Sequence, residues 1–149
     1  MKFKKIALGT VAYTVGTFSL AIVWHVVLFE DLYRAFGYFD DEPNFLLGFL
    51  TIMIQGVVLS GIYPLVELKG PRFTRGLKFA FLLGGFFWTS HVLAFLAKQD
   101  VPQAGLFAAM ETFYLVCQFG LFGVFLGLIF GPSQERSTEM PNSNDKKQV

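Results

Sequence analysis

Four long apolar runs separated by short polar segments leave this chain little choice of fold. They cover residues 6–29, 45–66, 77–97 and 104–130. A helical bilayer crossing needs about 20 predominantly apolar residues, and the first run alone would extend about 36 Å as a helix. The expected architecture is an all-α membrane protein, a four-transmembrane-helix bundle over residues 1–131. Residues 132–149 are polar, contain Pro, Ser, Asn and Lys, and show no periodicity, which predicts a disordered cytoplasmic tail.

Composition supports this. Apolar residues make up 54% and charged residues 15% of 149, against about 45–50% and 25% in soluble domains. Four crossings use most of the chain, so no large soluble catalytic domain fits. A net charge of +1 lacks the basic face that a nucleic-acid binder needs. The single cysteine, Cys117, permits neither an internal disulfide nor a paired thiolate site.

The first run follows Lys2, Lys4 and Lys5, and Ser19-Leu20-Ala21 resembles a signal-peptide cleavage site. The apolar sequence continues for eight residues past Ala21, so cleavage would leave an apolar stub. A retained first span is expected. Pro64 predicts a kink in the last turn of the second span, and Gly131-Pro132 stops the fourth.

Basic residues orient the bundle, because cytoplasmic segments are enriched in Lys and Arg. Ten of the 12 fall in the N-terminal segment, the second loop and the tail, while the opposite side has only Arg34 and Lys98. Both termini are therefore predicted to be cytoplasmic. The acidic, aromatic first loop (residues 30–44) would face outward, with a short interfacial helix ending near Gly37.

Only one acid, Glu111, lies deep in an apolar run. Counting the helical rise from the outer ends puts His25 roughly 6 Å, His91 roughly 9 Å and Glu111 roughly 10 Å into the membrane. Three different spans thus place ionisable groups in one layer. Such residues cost a few kcal/mol each to insert and usually turn inward to find partners. Glu111, Tyr114 and Gln118 share a helix face by their i, i+3, i+7 spacing. Gly84, Trp88 and His91 share another, and the Gly84-Gly85 pair would admit a close neighbour or a flat ligand. Trp24 flanks His25, and Gln55 with Thr51 forms a polar spot nearer the midplane.

These residues define the expected ligand-binding set: His25, His91, Glu111, Trp24, Trp88, Tyr114, Gln118 and Gln55. Two imidazoles and a carboxylate suit a transition metal, and imidazole also ligates haem, so His25, His91 and Glu111 form a candidate metal or haem site. The same groups could relay protons or serve only as interhelical hydrogen bonds. Trp24, Trp88, Tyr33, Tyr38 and Phe36 fit an interfacial aromatic belt.

A short internal similarity pairs His25-Val-Val-Leu-Phe with His91-Val-Leu-Ala-Phe, each just after a tryptophan, and Gln55-Gly56 with Gln118 and Gly120. It suggests a 2+2 hairpin pseudo-repeat. Gly123, Gly127 and Gly131 line one face of the fourth span, where glycines admit another helix. That helix would belong to the chain itself, to a second copy in a homo-oligomer, or to a larger membrane complex.

The Trp24-His25-x-x-Leu28-Phe29 end of the first span, the acidic aromatic loop, the Gly-rich third span and the Glu111-containing fourth resemble the small four-helix bacterial integral membrane proteins grouped as domains of unknown function. The resemblance covers residues 6–131 and implies a bundle in a bacterial inner (plasma) membrane, with no assigned reaction. The expected role is a small integral inner-membrane protein that binds a small ligand or ion in an outward-facing His/Glu layer, or an accessory subunit. A transporter or channel is one alternative and a metal- or haem-dependent membrane enzyme another. A through-pathway would need polar groups in the cytoplasmic half, where residues 124–130 supply none.

Overall fold

A computed structural model describes residues 2–39 and 41–131, so the expected tail lies outside the described residues. The elements are helical throughout: α1 (Lys2–Leu28), α2 (Glu30–Ala35), α3 (Phe45–Leu65), α4 (Arg72–Leu96) and α5 (Ala104–Phe130). All but α2 are long and apolar enough to cross a membrane. Two begin earlier than hydropathy alone predicts. α1 takes in Lys2 to Lys5, and α4 starts at Arg72, directly after Pro71 at its N-cap, because helix geometry tolerates basic residues in an end turn.

Local chemistry sets the ends. The Asn44 side chain accepts a hydrogen bond from the Leu47 amide at 3.0 Å and caps α3. Pro64 tightens the last turn of α3 into a 3-10 turn over Tyr63–Leu65. Gly37, at φ 69°, ends the turn after α2 in the left-handed region that glycine occupies without strain. At the C-terminus of α5, Lys5 Nζ donates to Phe130 O at 3.0 Å and Arg75 to Gly131 O at 3.1 Å. Two cations thereby meet carbonyls that the helix leaves unpaired.

The helices pack in the spatial order α3–α1–α5–α4. The closest pair is α4 with α5. Backbone contact there needs glycine, since a Cβ on Gly76 would run into Gly123 O, one on Gly123 would strike Leu77, and one on Gly127 would strike Phe73. The glycine face expected to receive another chain is therefore filled at Gly123 and Gly127 by the protein's own α4, and Gly131 lies against Lys5 Nζ. α1 meets α3 through small residues in the same way, with Gly9 against Ser60 and Gly56 against Thr10 O.

α3 and α4 form no packed pair along their length. They meet near the end that carries Lys5 and Gly131, where the Tyr63 ring packs edge-on to Phe79 at 5.2 Å and to Phe130 at 4.8 Å. If the hairpins α1/α3 and α4/α5 are taken as halves, the α1–α5 interface has no counterpart between α4 and α3. The core is continuous along α5, from Phe107 through Phe119 and Phe122 to Leu126.

Candidate functional site

His25 and His91 both sit in wide, π-type turns, over Ile22–Leu28 in α1 and Thr89–Leu93 in α4. The first is marked by the Phe29 amide reaching back five residues to Trp24 O at 3.2 Å. Such turns interrupt the i, i+4 register and are frequent at functional sites. The short similarity between the two histidine segments thus coincides with a shared backbone distortion.

Glu111, on α5, is fully buried and lies between the two rings. His25 Nε2 is 3.0 Å from Oε1, and His91 Nε2 is 2.7 Å from Oε2. The His91 approach is short but oblique, so Oε2 has no aligned hydrogen bond. The second nitrogen of His25, Nδ1, is 3.1 Å from Ala21 O. Both nitrogens of His25 therefore face oxygens, one of them a carbonyl that can only accept. Nδ1 must carry a proton, and a further proton is shared between Nε2 and Oε1. The His25–Glu111 pair is net neutral in either arrangement, as imidazolium and carboxylate or as imidazole and carboxylic acid.

Three tyrosines enclose His25. Tyr33 and Tyr114 meet it edge-on at 4.5 and 4.6 Å, and Tyr38 stacks on it at 5.5 Å with planes 11° apart. The Tyr38 hydroxyl is also 3.2 Å from His91 Nε2. Burial, reinforced by the nearby Glu111 charge, pushes the Tyr33 and Tyr38 phenols well above the ordinary range. Both remain neutral hydroxyls at any physiological pH. The expected interfacial belt is corrected here, because Tyr33 is 0% and Phe36 2% exposed: α2 folds back into the bundle and caps the site.

A cavity of about 530 Å³ adjoins this cluster. His25, His91 and Tyr38 line its α2 end, Gln55, Gln118 and Tyr114 line it farther in, and Glu111 stands behind the rings, outside the lining. The two amides converge on Tyr13, which donates to Gln55 Oε1 at 3.2 Å and accepts from Gln118 Nε2 at 2.9 Å. Sequence reasoning missed Tyr13, Tyr33 and Tyr38. The signal available for Tyr13 was a phenol in mid-span, at a depth matching the two glutamines.

Trp24 and Trp88 do not line the cavity. Trp24 Nε1–H donates to the Tyr33 hydroxyl at 2.8 Å, and its ring stacks on Phe113 at 5.6 Å. Trp88 Nε1–H donates to Thr112 Oγ1 at 2.8 Å. Each ties α5 to its neighbour. Gly84 meets the Phe119 ring, while Gly85 faces open space, so the glycine pair receives a side chain of the chain itself.

The metal and haem expectation does not fit this geometry. No trio of His, Cys, Asp and Glu among the described residues is disposed to hold a metal ion. The imidazoles address different oxygens of one carboxylate, and both nitrogens of His25 are engaged within the chain, so His25 has no nitrogen left for iron.

The class of protein is therefore an all-helical bundle with four helices of membrane-spanning length and composition, and a cavity bordered by a carboxylate-clamped histidine pair. Comparison with protein-family models, curated proteins and solved structures finds no match. Its function is argued from geometry alone.

Proposed function

We propose that this is a small integral membrane protein that binds a small ligand in the cavity beside the His25–Glu111–His91 cluster. The observation that carries the reading is the cavity itself. At about 530 Å³ it falls in the range of small-molecule sites, which are mostly apolar with a few placed polar groups. Glu111 acts as a positioning residue, since its two oxygens hold both rings at the cavity wall.

The same packing argues against a through-pathway. Beyond Gln55 and Gln118 the bundle is filled by Leu59, Phe79, Phe122 and Leu126, each no more than 2% exposed, and Tyr13 packs on Phe122 at 4.8 Å. A solute entering at the α2 end meets a closed floor.

The ten basic residues near the termini and the second loop support an inner-membrane orientation with both termini cytoplasmic and α2 outside. Association with a second copy or a larger complex would use faces other than Gly123 and Gly127.

Native mass spectrometry of the protein released from its own membranes tests the reading. A non-covalent small-molecule adduct is expected on the wild type and is lost on His25→Ala. A bare wild-type mass would overturn the proposal.

A further inference from the structure

The gap between α3 and α4 is where the cavity lies, and its borders say how it is reached. Across the gap, Thr51 and Gly48 of α3 face the same space as Phe87 and His91 of α4. At the α2 end, Tyr38, Phe39 and Pro43 contribute to the lining. On the α1 side the Phe18 ring meets Phe49 edge-on at 5.4 Å, closing that seam. The side left without a packed helix pair is α3–α4, whose outer surface is apolar: Leu47 is 61% and Phe86 67% exposed. In a bilayer these residues face lipid chains.

The polar groups around the cavity select the head of such a ligand. With the His91 Nε2 proton on its own ring, the Tyr38 hydroxyl 3.2 Å away keeps its proton for a ligand. Gln55 uses its oxygen toward Tyr13, and its NH2 group has no partner within the described structure. Both nitrogens of His25 are engaged within the chain, so the wall offers a ligand hydrogen bonds from other groups. Exposed Asp41 and Glu42 lie between Phe39 and Pro43 at that end and disfavour an anion entering from water.

We propose that the cavity opens sideways to the bilayer between α3 and α4, and takes an uncharged, membrane-dissolved amphiphile. Its oxygen-bearing head accepts a hydrogen bond from Gln55 farther in or from Tyr38 at the α2 end, and its apolar tail leaves past Gly48. This rests on the cavity being a ligand site. It adds the class of ligand and the route.

Gly48 permits a clean test, because a Cβ built there meets nothing within 4 Å. Gly48→Trp should place its ring in the gap. The protein is reconstituted in phosphatidylcholine nanodiscs and its thermal unfolding measured with 2-dodecanone, dodecanoate or dodecyltrimethylammonium. Saturating 2-dodecanone should raise the wild-type Tm by about 5 °C, and the two charged probes should not. The rise, measured against each variant's own ligand-free Tm, should vanish in Gly48→Trp and in the double variant Tyr38→Phe/Gln55→Leu. Stabilisation by a charged probe alone, abolished by Gly48→Trp, would overturn the ligand class and leave the cavity a binding site. An undiminished response of folded Gly48→Trp to 2-dodecanone would overturn the lateral route. No response of the wild type to any probe would overturn the proposal, while the adduct measurement above judges the binding reading separately.

Discussion

His25 and Glu111, 86 positions apart in the chain, are joined by a buried 3.0 Å contact between Nε2 and Oε1. It ties the first membrane-spanning helix to the last. Removing one member of a buried pair leaves the other uncompensated, at a cost of about 3–5 kcal/mol, whereas replacing both with apolar residues costs far less. His25→Leu and Glu111→Leu should therefore each destabilise strongly, and the double variant should recover part of the loss. The check is a double-mutant cycle by denaturant unfolding in detergent; simple additivity would show that the contact carries no coupling.

Tyr38 supplies a pH dependence outside the spanning helices. Its phenol is held above the ordinary value of 10.0 by burial and by Glu111, so the folded state favours the protonated form. That contribution is complete below pH 10 and is lost as pH rises from there through the higher folded-state value. Ultraviolet titration of tyrosinate should show at least two phenols resisting ionisation until the protein unfolds, and Tyr38→Phe should soften the alkaline loss of stability. Five tyrosines titrating together near pH 10 would contradict the buried placement.

Backbone contact between α4 and α5 makes Gly76 intolerant of any side chain. Gly76→Ala should destabilise by about 1–3 kcal/mol, as overpacking does. Gly61→Ala and Gly85→Ala, where an added Cβ meets nothing within 4 Å, should be neutral or slightly stabilising through helix propensity. Thermal unfolding of the three variants separates these outcomes, and equal effects would refute the close α4–α5 crossing.

The proposed orientation is open to labelling. In a Cys117→Ser background, Asp41→Cys should react with a membrane-impermeant maleimide from outside intact cells, and Arg72→Cys only after permeabilisation. The reverse pattern would invert the topology.

At the His25–Glu111 contact the hydrogen-bond geometry assigns a proton rather than a metal. Protein purified in mild detergent should carry substoichiometric transition metal and no haem absorption band. One equivalent of a transition metal that is lost on His91→Ala would overturn this assignment.

The helices and the shared depth of His25, His91 and Glu111 were legible because hydropathy, helical rise and the cost of burying charge act along one chain at a time. Trp24 and Trp88 matched the site in spacing but not in role. A π-type turn changes which face follows it, and no residue count announces one. Tyr33 and Tyr38 looked like belt residues because nothing local records that α2 folds back into the bundle.

The sequence by itself determined four apolar helices, their asymmetry of basic charge and the one acid that needed partners. Tertiary structure decided which helices touch. Gly76 draws α4 onto Gly123 and Gly127, and Gly9 and Gly56 draw α3 onto α1, so the close contacts fall within the two hairpins and α3 and α4 are left apart. The cavity exists because of that unpaired interface. Its position follows from side chains meeting across helices far apart in sequence, which no periodicity within one helix encodes.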